Sequence, residues 1–401
     1  MSTQTATADP TSTVKASRRL SIDIRQYGIL AALVIITVLF EVLTGGRLLM
    51  PGNVNNLIQQ NSYVLILAIG MVMVIIAGHI DLSVGSVVAM VGAITALAMN
   101  NWGLPWWAAV LLALLTGCLV GAWQGFWVAY MGIPAFIVTL AGMMLFRGLT
   151  LILLYGGTIG GLPSQFVTIG AGWLPASLGF VGKLDVLTLV LGGLASVGLA
   201  AQLIRSRIAR QKKGFPVEGA VSFWAKLVVA FVAIMALSWQ LASYSGTPVI
   251  LIILAVLILT YTFLLNRTVF GRHVYAIGGN LFSAVMSGVK TKRVNFVIFV
   301  NMGMLAALAG VVSTSRAGGA VASAGQNYEL DAIAAVFIGG AAVQGGVGTV
   351  VGAVIGGLVM GVLNMGLSIL SVDAAWQMAI KGLVLLLAVA FDLINKRRGS
   401  R

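Results

Sequence analysis

The sequence predicts an all-α polytopic membrane protein of about ten transmembrane helices, within a range of eight to twelve, some of them short, broken or re-entrant. Composition points there first: 59% of the 401 residues are hydrophobic and only 8% are charged. Apolar runs also reach, again and again, the roughly 18 to 20 residues that cross a bilayer. Stretches such as "VLTLVLGGLASVGLAAQLI" are apolar on every face, whereas the strands of a membrane β-barrel alternate apolar and polar side chains over about ten residues.

Residues 1–27 are polar and carry Lys15, Arg18, Arg19 and Arg25. A cleavable signal peptide would reach its apolar core sooner and end in small residues, so this stretch is expected to be a disordered cytoplasmic tail before an uncleaved first span. A single transmembrane domain over 28–395 and a cytoplasmic tail at 396–401 complete the organisation. The net charge of +14 does not point to nucleic acid, because of where the charge lies. Eighteen of the 24 Lys and Arg residues fall at 15–25, 205–213, 267–293 and 396–401, and such clusters mark loops kept in the cytoplasm. All four should therefore share one side, with 205–222 a basic loop. Apolar segments near 28–44, 62–78, 83–100, 106–130, 135–155 and 186–204 give six crossings between the first two clusters. Segments 223–242 and 248–266 give two more. Beyond 293, segments 295–315, 349–370 and 376–395 are clear, and parity requires the short stretch 331–345 to cross or a neighbour to be broken.

Gly117, Gly121 and Gly125, and Gly348, Gly352 and Gly356, recur every fourth residue. Bare ridges of this kind let helix backbones approach closely in lipid. "GVGTVVG" also passes for a dinucleotide fingerprint, but no strand precedes it. Catalytic signatures are missing. The Gly182-Lys183 pair runs into Leu184 rather than Ser or Thr, no HExxH occurs, and the two histidines stand almost 200 positions apart. No catalytic residue, no metal site and no nucleotide loop of its own are expected, so active transport would draw on an ion gradient or on a separate ATPase chain. Cys118, the single cysteine, reads as a small buried hydrophobe.

Acids inside the membrane are expensive and mark function. Asp81, Glu329 and Asp331 lie in or beside membrane segments, with Glu41, Asp373 and Asp392 near segment ends. In "HIDLSVGSV" and "ELDAIAAVF" an acid opens a run of small and apolar residues. That setting suits a cap on orphan helix N–H groups, an ion or substrate ligand, or a gating contact. His79 reads as a neutral polar residue at a helix break. The stretch 266–296 combines a short amphipathic helix with basic flanks, and either a lipid headgroup layer or a cytoplasmic partner would suit it.

"GHIDLSVGS", "IPAFIVTLAGMMLFRGL", "FGRHVYAIGGNLFSAVMSGV" and "ELDAIAAVFIGGAAVQGGVGTVVGAVIGGLVMGVLNMGLS", in this order, resemble the permease subunits of bacterial ABC monosaccharide importers of the ribose/xylose type. "AWQGFWVAY" and the basic segment around 205–217 bring the resemblance nearest to D-xylose and multiple-sugar permeases. His79 departs from the pattern, where Glu or Gly is expected before Ile-Asp. The resemblance implies a multi-pass inner-membrane subunit with cytoplasmic termini, working as a homodimer or close heterodimer. ATP and Mg would be bound by a partner ATPase, and a periplasmic sugar-binding protein would deliver the cargo: D-xylose or a related sugar, with ribose or galactose as alternatives. An ion-coupled secondary carrier is the rival reading. The resemblance places ATPase coupling in 267–293, on Gly278, Gly279, Asn280, Ala284, Ser287 and Gly288; Asn280, Ala284 and Gly288, four apart, would share a helix face. Asp81, Ser83, Gln124, Asn301, Glu329, Asp331 and Asn364, with Ser368 and Gln377, are candidates for the translocation path or its gate. Each neutral group among them could instead be an interhelical hydrogen bond. Lipid is an expected partner; nucleic acid is not.

Overall fold

The computed structural model describes residues 24–399 except 216 and 218. Residues 1–23 of the tail expected at 1–27, and residues 400–401, lie outside that range; the first helix begins at Ile24 and the last ends at Gly399, so each runs into the tail expected there. Among the described residues fifteen helices run in order: α1 (Ile24–Leu43), α2 (Pro51–Ile76), α3 (Val84–Asn100), α4 (Trp106–Ala129), α5 (Ala135–Leu154), α6 (Ser164–Ala171), α7 (Val186–Lys212), α8 (Ala220–Ala242), α9 (Val249–Arg267), α10 (Val269–Gly279), α11 (Leu281–Met286), α12 (Thr291–Ala317), α13 (Tyr328–Ile338), α14 (Val350–Ile369) and α15 (Ala374–Gly399). Two small antiparallel ribbons join them, β1 (Thr158–Gly160) with β4 (Gly319–Val321), and β2 (Phe180–Val181) with β3 (Leu184–Asp185). The expected fold class holds. Among the described residues eight helices are long and apolar enough to span a membrane, and α1, α3 and α15 carry shorter apolar stretches. Proline opens α2 and stands at the N-cap of α4, α5, α6 and α9, where its missing N–H costs nothing.

The helices meet at two opposite ends. At one, β1 pairs with β4, Asn100 donates to the Gly160 carbonyl, and the amide of Val249 at the start of α9 donates to the Gly172 carbonyl. At the other lie the end of α2, the end of α10 and the turn 339–349, where the Gly346 amide donates to the Ile76 carbonyl at 2.8 Å. The parity problem at 331–345 has a physical answer. Helix α13 is only 11 residues, roughly 16 Å at 1.5 Å per residue. It starts beside Tyr63, midway along α2, and its glycine turn completes the passage to the second end.

Helix α2 is the axis. From Val64 to Ile76 almost no surface is exposed, because α12, α14, α13 and α9 surround it. It also corrects the predicted segment 62–78, since it begins at Pro51 and draws "NVNNLIQQNS" into the helix. Asn55, Gln59, Asn61 and Ser62 are buried there: a polar helix needs no apolar face toward lipid when other helices enclose it.

The first glycine ridge packs as expected. A Cβ on Gly121 would overlap the Phe299 carbonyl and come 2.8 Å from the Val300 Cα, and Gly117 meets Ala307 and Gly303 in the same way. These contacts set the α4–α12 crossing. The second ridge is shorter than predicted: Gly352 and Gly356 lie against the Gly339 and Ala335 carbonyls of α13, but Gly348 precedes the helix and stays in the turn. Overpacking a close backbone crossing costs about 1–3 kcal/mol or more. Gly121→Leu is therefore expected to lower the thermal midpoint of the detergent-purified protein by several degrees, whereas Gly148→Leu, in open space, leaves it unchanged.

Candidate functional site

The polar half of α2 lines a cavity of about 280 Å3 near the β1–β4 end. Helix α2 contributes Gln59, Gln60, Asn61, Ser62 and Tyr63; the end of α12 contributes Ser313 and Arg316. Tyr328 opens α13, while Asn364 and Ser368 come from α14, and Gln377 and Lys381 from α15. At about 30 Å3 per water the volume holds roughly nine waters. Its inner wall is a stack of Tyr63 on Tyr328, with ring centroids 3.6 Å apart and planes 17° from parallel. The Tyr63 hydroxyl donates to Asp331 Oδ2 at 3.1 Å, and Lys381 Nζ reaches the same oxygen at 3.3 Å. Beyond that pair lies a smaller, mostly apolar pocket of about 250 Å3, with Leu330, Met360 and Met378 in its wall. The ion pair thus divides a polar chamber from an apolar one. Asn364 Nδ2 faces Asn61 Oδ1 at 3.4 Å, and Asn364 Oδ1 is buried without a partner. Arg316 is exposed at the mouth.

A second cluster forms at the break between α2 and α3. Asp81 is 2% exposed, and its Oδ1 accepts from the Ser83 amide at 2.8 Å and the Ser83 hydroxyl at 2.6 Å. Gln124 Nε2 on α4 donates to Ser83 Oγ at 2.6 Å, and Thr139 on α5 reaches the Ile80 carbonyl at 3.4 Å. The Asp81 carboxylate therefore serves the turn that starts α3, two residues ahead of the Ser83 N-cap. His79 packs on Phe299 at 5.8 Å between ring centroids. Glu329 projects its carboxylate to the place a Cβ on Gly85 would take, where the backbones at Gly85 and Gly325 touch, and its Oε2 has no hydrogen-bond partner. Arg147 on α5 holds the adjoining loop by donating to the Ala322 and Ala324 carbonyls, at 3.2 and 2.6 Å.

Asp331 departs from the capping pattern that its resemblance to Asp81 suggested. Asn327, in the left-handed region, is the N-cap of α13, and Asp331 sits a turn inside the helix with its carboxylate toward Tyr63 and Lys381. Asn301 lies away from the chamber and accepts from the Tyr261 hydroxyl of α9 at 2.5 Å.

At the opposite end, α10 and α11 form the expected helical segment, but its open face is different from the one that spacing suggested. Asn280 is spent as the cap of α11, accepting from the Ser283 amide at 2.9 Å; Ala284 is 3% exposed and turned inward; Gly288, at φ +79°, follows the helix. The exposed side chains are Leu281, Phe282, Val285 and Met286, at 55, 72, 45 and 69%. Ser287 is exposed and donates to the Ser283 carbonyl at 2.8 Å. Gly279 has open space around its Cβ position, but any Cβ on Gly278 would collide with the Ile76 carbonyl. Tyr275 of α10 donates to the Gly348 carbonyl at 2.7 Å. The segment is thus fastened to the end of α2 and to the turn before α14.

Sequence reasoning found Asn364, Ser368 and Gln377 of the chamber. It missed Gln59, Asn61, Tyr63, Tyr328 and Lys381. The available signal was an uncharged polar run beside an apolar one: "NNLIQQNSY" has no Asp, Glu, Lys or Arg.

An apolar helix bundle around a polar chamber, with a polar break between α2 and α3, is the build of a multi-pass membrane transport protein. The chain belongs to the family described as branched-chain amino acid transport system / permease component, whose pattern matches residues 53–389. It is similar to the xylose transport system permease protein XylH of Haemophilus influenzae, 40% identical over 94% of this chain and 98% of that protein. The XylH of Escherichia coli K12 is 39% identical, covering 94% of each. The ribose import permease protein RbsC of Haemophilus influenzae is 34% identical over 85% of this chain and 84% of the relative. No solved structure matches.

Breaking a buried ion pair leaves one charge uncompensated, and the two partners here are not equally buried, with side-chain exposures of 22% for Lys381 and 3% for Asp331. Lys381→Met, which strands the carboxylate, is expected to cost about 2–3 kcal/mol. Asp331→Asn should cost less, because lysine can extend toward the chamber mouth, and it should recover most of the loss when combined with Lys381→Met. Thermal unfolding of the four proteins completes the cycle.

Proposed function

We propose that this chain is the membrane-spanning permease subunit of an ATP-driven importer in the bacterial inner membrane, and that its cargo is a monosaccharide, D-xylose or a related sugar. The observation that carries the reading is the extent of the similarity: two relatives named as xylose permeases are 39–40% identical over 94% of the chain, against 34% over 85% for a ribose permease. The chamber supports it, since amide and hydroxyl groups with an aromatic wall suit a neutral sugar.

The chain has no phosphate-binding loop in its sequence, so ATP and Mg are bound by a separate ATPase. That partner docks on the exposed apolar face of α10–α11, flanked by Arg267, Arg272, Lys290, Lys292 and Arg293. A periplasmic sugar-binding protein delivers the cargo at the β1–β4 end, and two copies of the chain form the translocating unit. Both termini are cytoplasmic, in keeping with the basic clusters. ATP binding closes the ATPase pair, α10–α11 moves with it, and the attachment at Ile76 and Gly346 passes the displacement to α2 and to the turn before α14. Asp81, which an ion-coupled carrier would use as a ligand, is engaged by Ser83. The chain itself catalyses no reaction.

In liposomes holding this chain, its ATPase and its binding protein, uptake of labelled xylose is expected only with all three plus ATP; uptake by this chain alone sinks the proposal. Phe282→Asp, which places a charge in the docking face without touching the core, should reduce co-purification of the ATPase at least tenfold. Ordinary co-purification would move the docking face elsewhere.

A further inference from the structure

The chamber at the β1–β4 end has a lining more specific than a water-filled vestibule requires. A vestibule needs only to stay wet. Here an aromatic stack, an ion pair and paired amides fix one wall, and a buried acceptor, Asn364 Oδ1, is left without a donor. Leaving a buried acceptor unpaired is costly, and a turn of the Asn364 amide toward the chamber would bring this oxygen to a ligand hydroxyl.

We infer that each subunit holds its own binding site for one neutral monosaccharide in this chamber, and that Asn364 and Gln377 read the sugar's hydroxyls against the Tyr63–Tyr328 wall. This rests on the importer reading and deepens it: the permease selects its cargo as well as passing it on. The charge balance argues for a neutral ligand. Asp331 occupies Lys381, Arg316 stands at the exposed mouth, and the remaining polar lining groups are amides and hydroxyls, which donate and accept as sugar hydroxyls do. The tyrosine stack offers the apolar surface that the C–H face of a pyranose needs. The chamber lies in the half of α2 away from the docking segment, where a sugar arriving from the binding protein enters. A site that hydrogen-bonds a hydroxyl rejects the analogue lacking it far more strongly than an apolar pocket rejects a lost methylene, so these contacts separate sugars that differ at a single hydroxyl.

The test is saturation-transfer NMR on the full chain in lipid nanodiscs, without ATPase or binding protein, with D-xylose and its monodeoxy analogues as probes. Saturable binding of xylose is expected, weakened at least tenfold for one or more deoxy analogues. Asn364→Leu should weaken xylose binding and erase the discrimination against one particular deoxy sugar. Gln377→Leu, on α15, should do the same for another, which keeps the test decisive should Asn364→Leu fail to fold. Absence of saturable binding, equal binding of every deoxy analogue, or binding unaltered in Gln377→Leu overturns the inference. A sugar acid that binds as tightly as xylose overturns the neutral assignment. Saturable, discriminating binding alongside failure of ATP-driven uptake would remove the importer reading alone.

Discussion

The structure depends on one constraint: the second half of α2 is enclosed by protein on all sides, so it must satisfy every neighbour at once. The last thirteen residues of α2 are almost wholly inaccessible and almost wholly apolar. Its first half is polar and partly enclosed, with Asn55, Gln59, Asn61 and Ser62 buried and Asn56 and Gln60 exposed. That combination is unavailable to a helix facing lipid, where unpaired amide side chains would lie against hydrocarbon. Enclosure therefore permits the chamber, and the chamber in turn explains why Gln59, Asn61 and Tyr63 sit in a membrane helix.

Enclosure also imposes a problem at the C-terminal end, where the last carbonyls of α2 must find donors without access to lipid or bulk water. Glycine solves it. The Ile76 carbonyl accepts from the Gly346 amide, and Gly278 and Gly345 crowd the same atom so closely that a Cβ at either position would fall within its contact radius. Gly345 and Gly346 both have positive φ, +81° and +75°, which glycine adopts without strain. Three segments distant in sequence, 76–78, 278–279 and 345–346, consequently share a single junction. Motion of α10 without motion of α2 or of the 339–349 turn would break backbone contacts that have no slack.

What could be read in the sequence follows from which interactions leave a local trace. Apolar length is local, so the helical class was legible; the basic stretch expected as a loop at 205–222 instead opens inside a helix, because α7 runs on to Lys212 before α8 starts at Ala220. The four-residue glycine period is local too, and Gly117, Gly121 and Gly125 met α12 as their spacing implied. The chamber was legible only in its second half. Asn364, Ser368 and Gln377 interrupt apolar runs and attract notice, whereas Gln59 and Asn61 sit in a polar run that resembles a loop until α12 and α14 are placed around it. Asp331 misled for a similar reason. Its local pattern matches that of Asp81, but a capping role depends on where the helix starts, and Asn327 caps it four residues before Asp331. The shared face expected of Asn280, Ala284 and Gly288 failed on length: a period of four defines a face only if the helix is long enough, and α11 ends after six residues.

The two ends of the molecule are linked through a single rigid element. Tyr63, in the chamber wall, and Ile76, at the glycine junction, lie on the same uninterrupted helix, roughly 20 Å apart at 1.5 Å per residue. A helix packed on all sides tilts or slides as a body, since bending it would open voids in a close-packed interior. A displacement applied at Ile76 must therefore appear at Tyr63, and the Tyr63–Tyr328 stack and the Asp331–Lys381 pair are the first contacts it would shear. Those contacts separate the polar chamber from the apolar pocket beyond it. The wall of the chamber is thus the part of the β1–β4 half that a displacement of α10 is best placed to move.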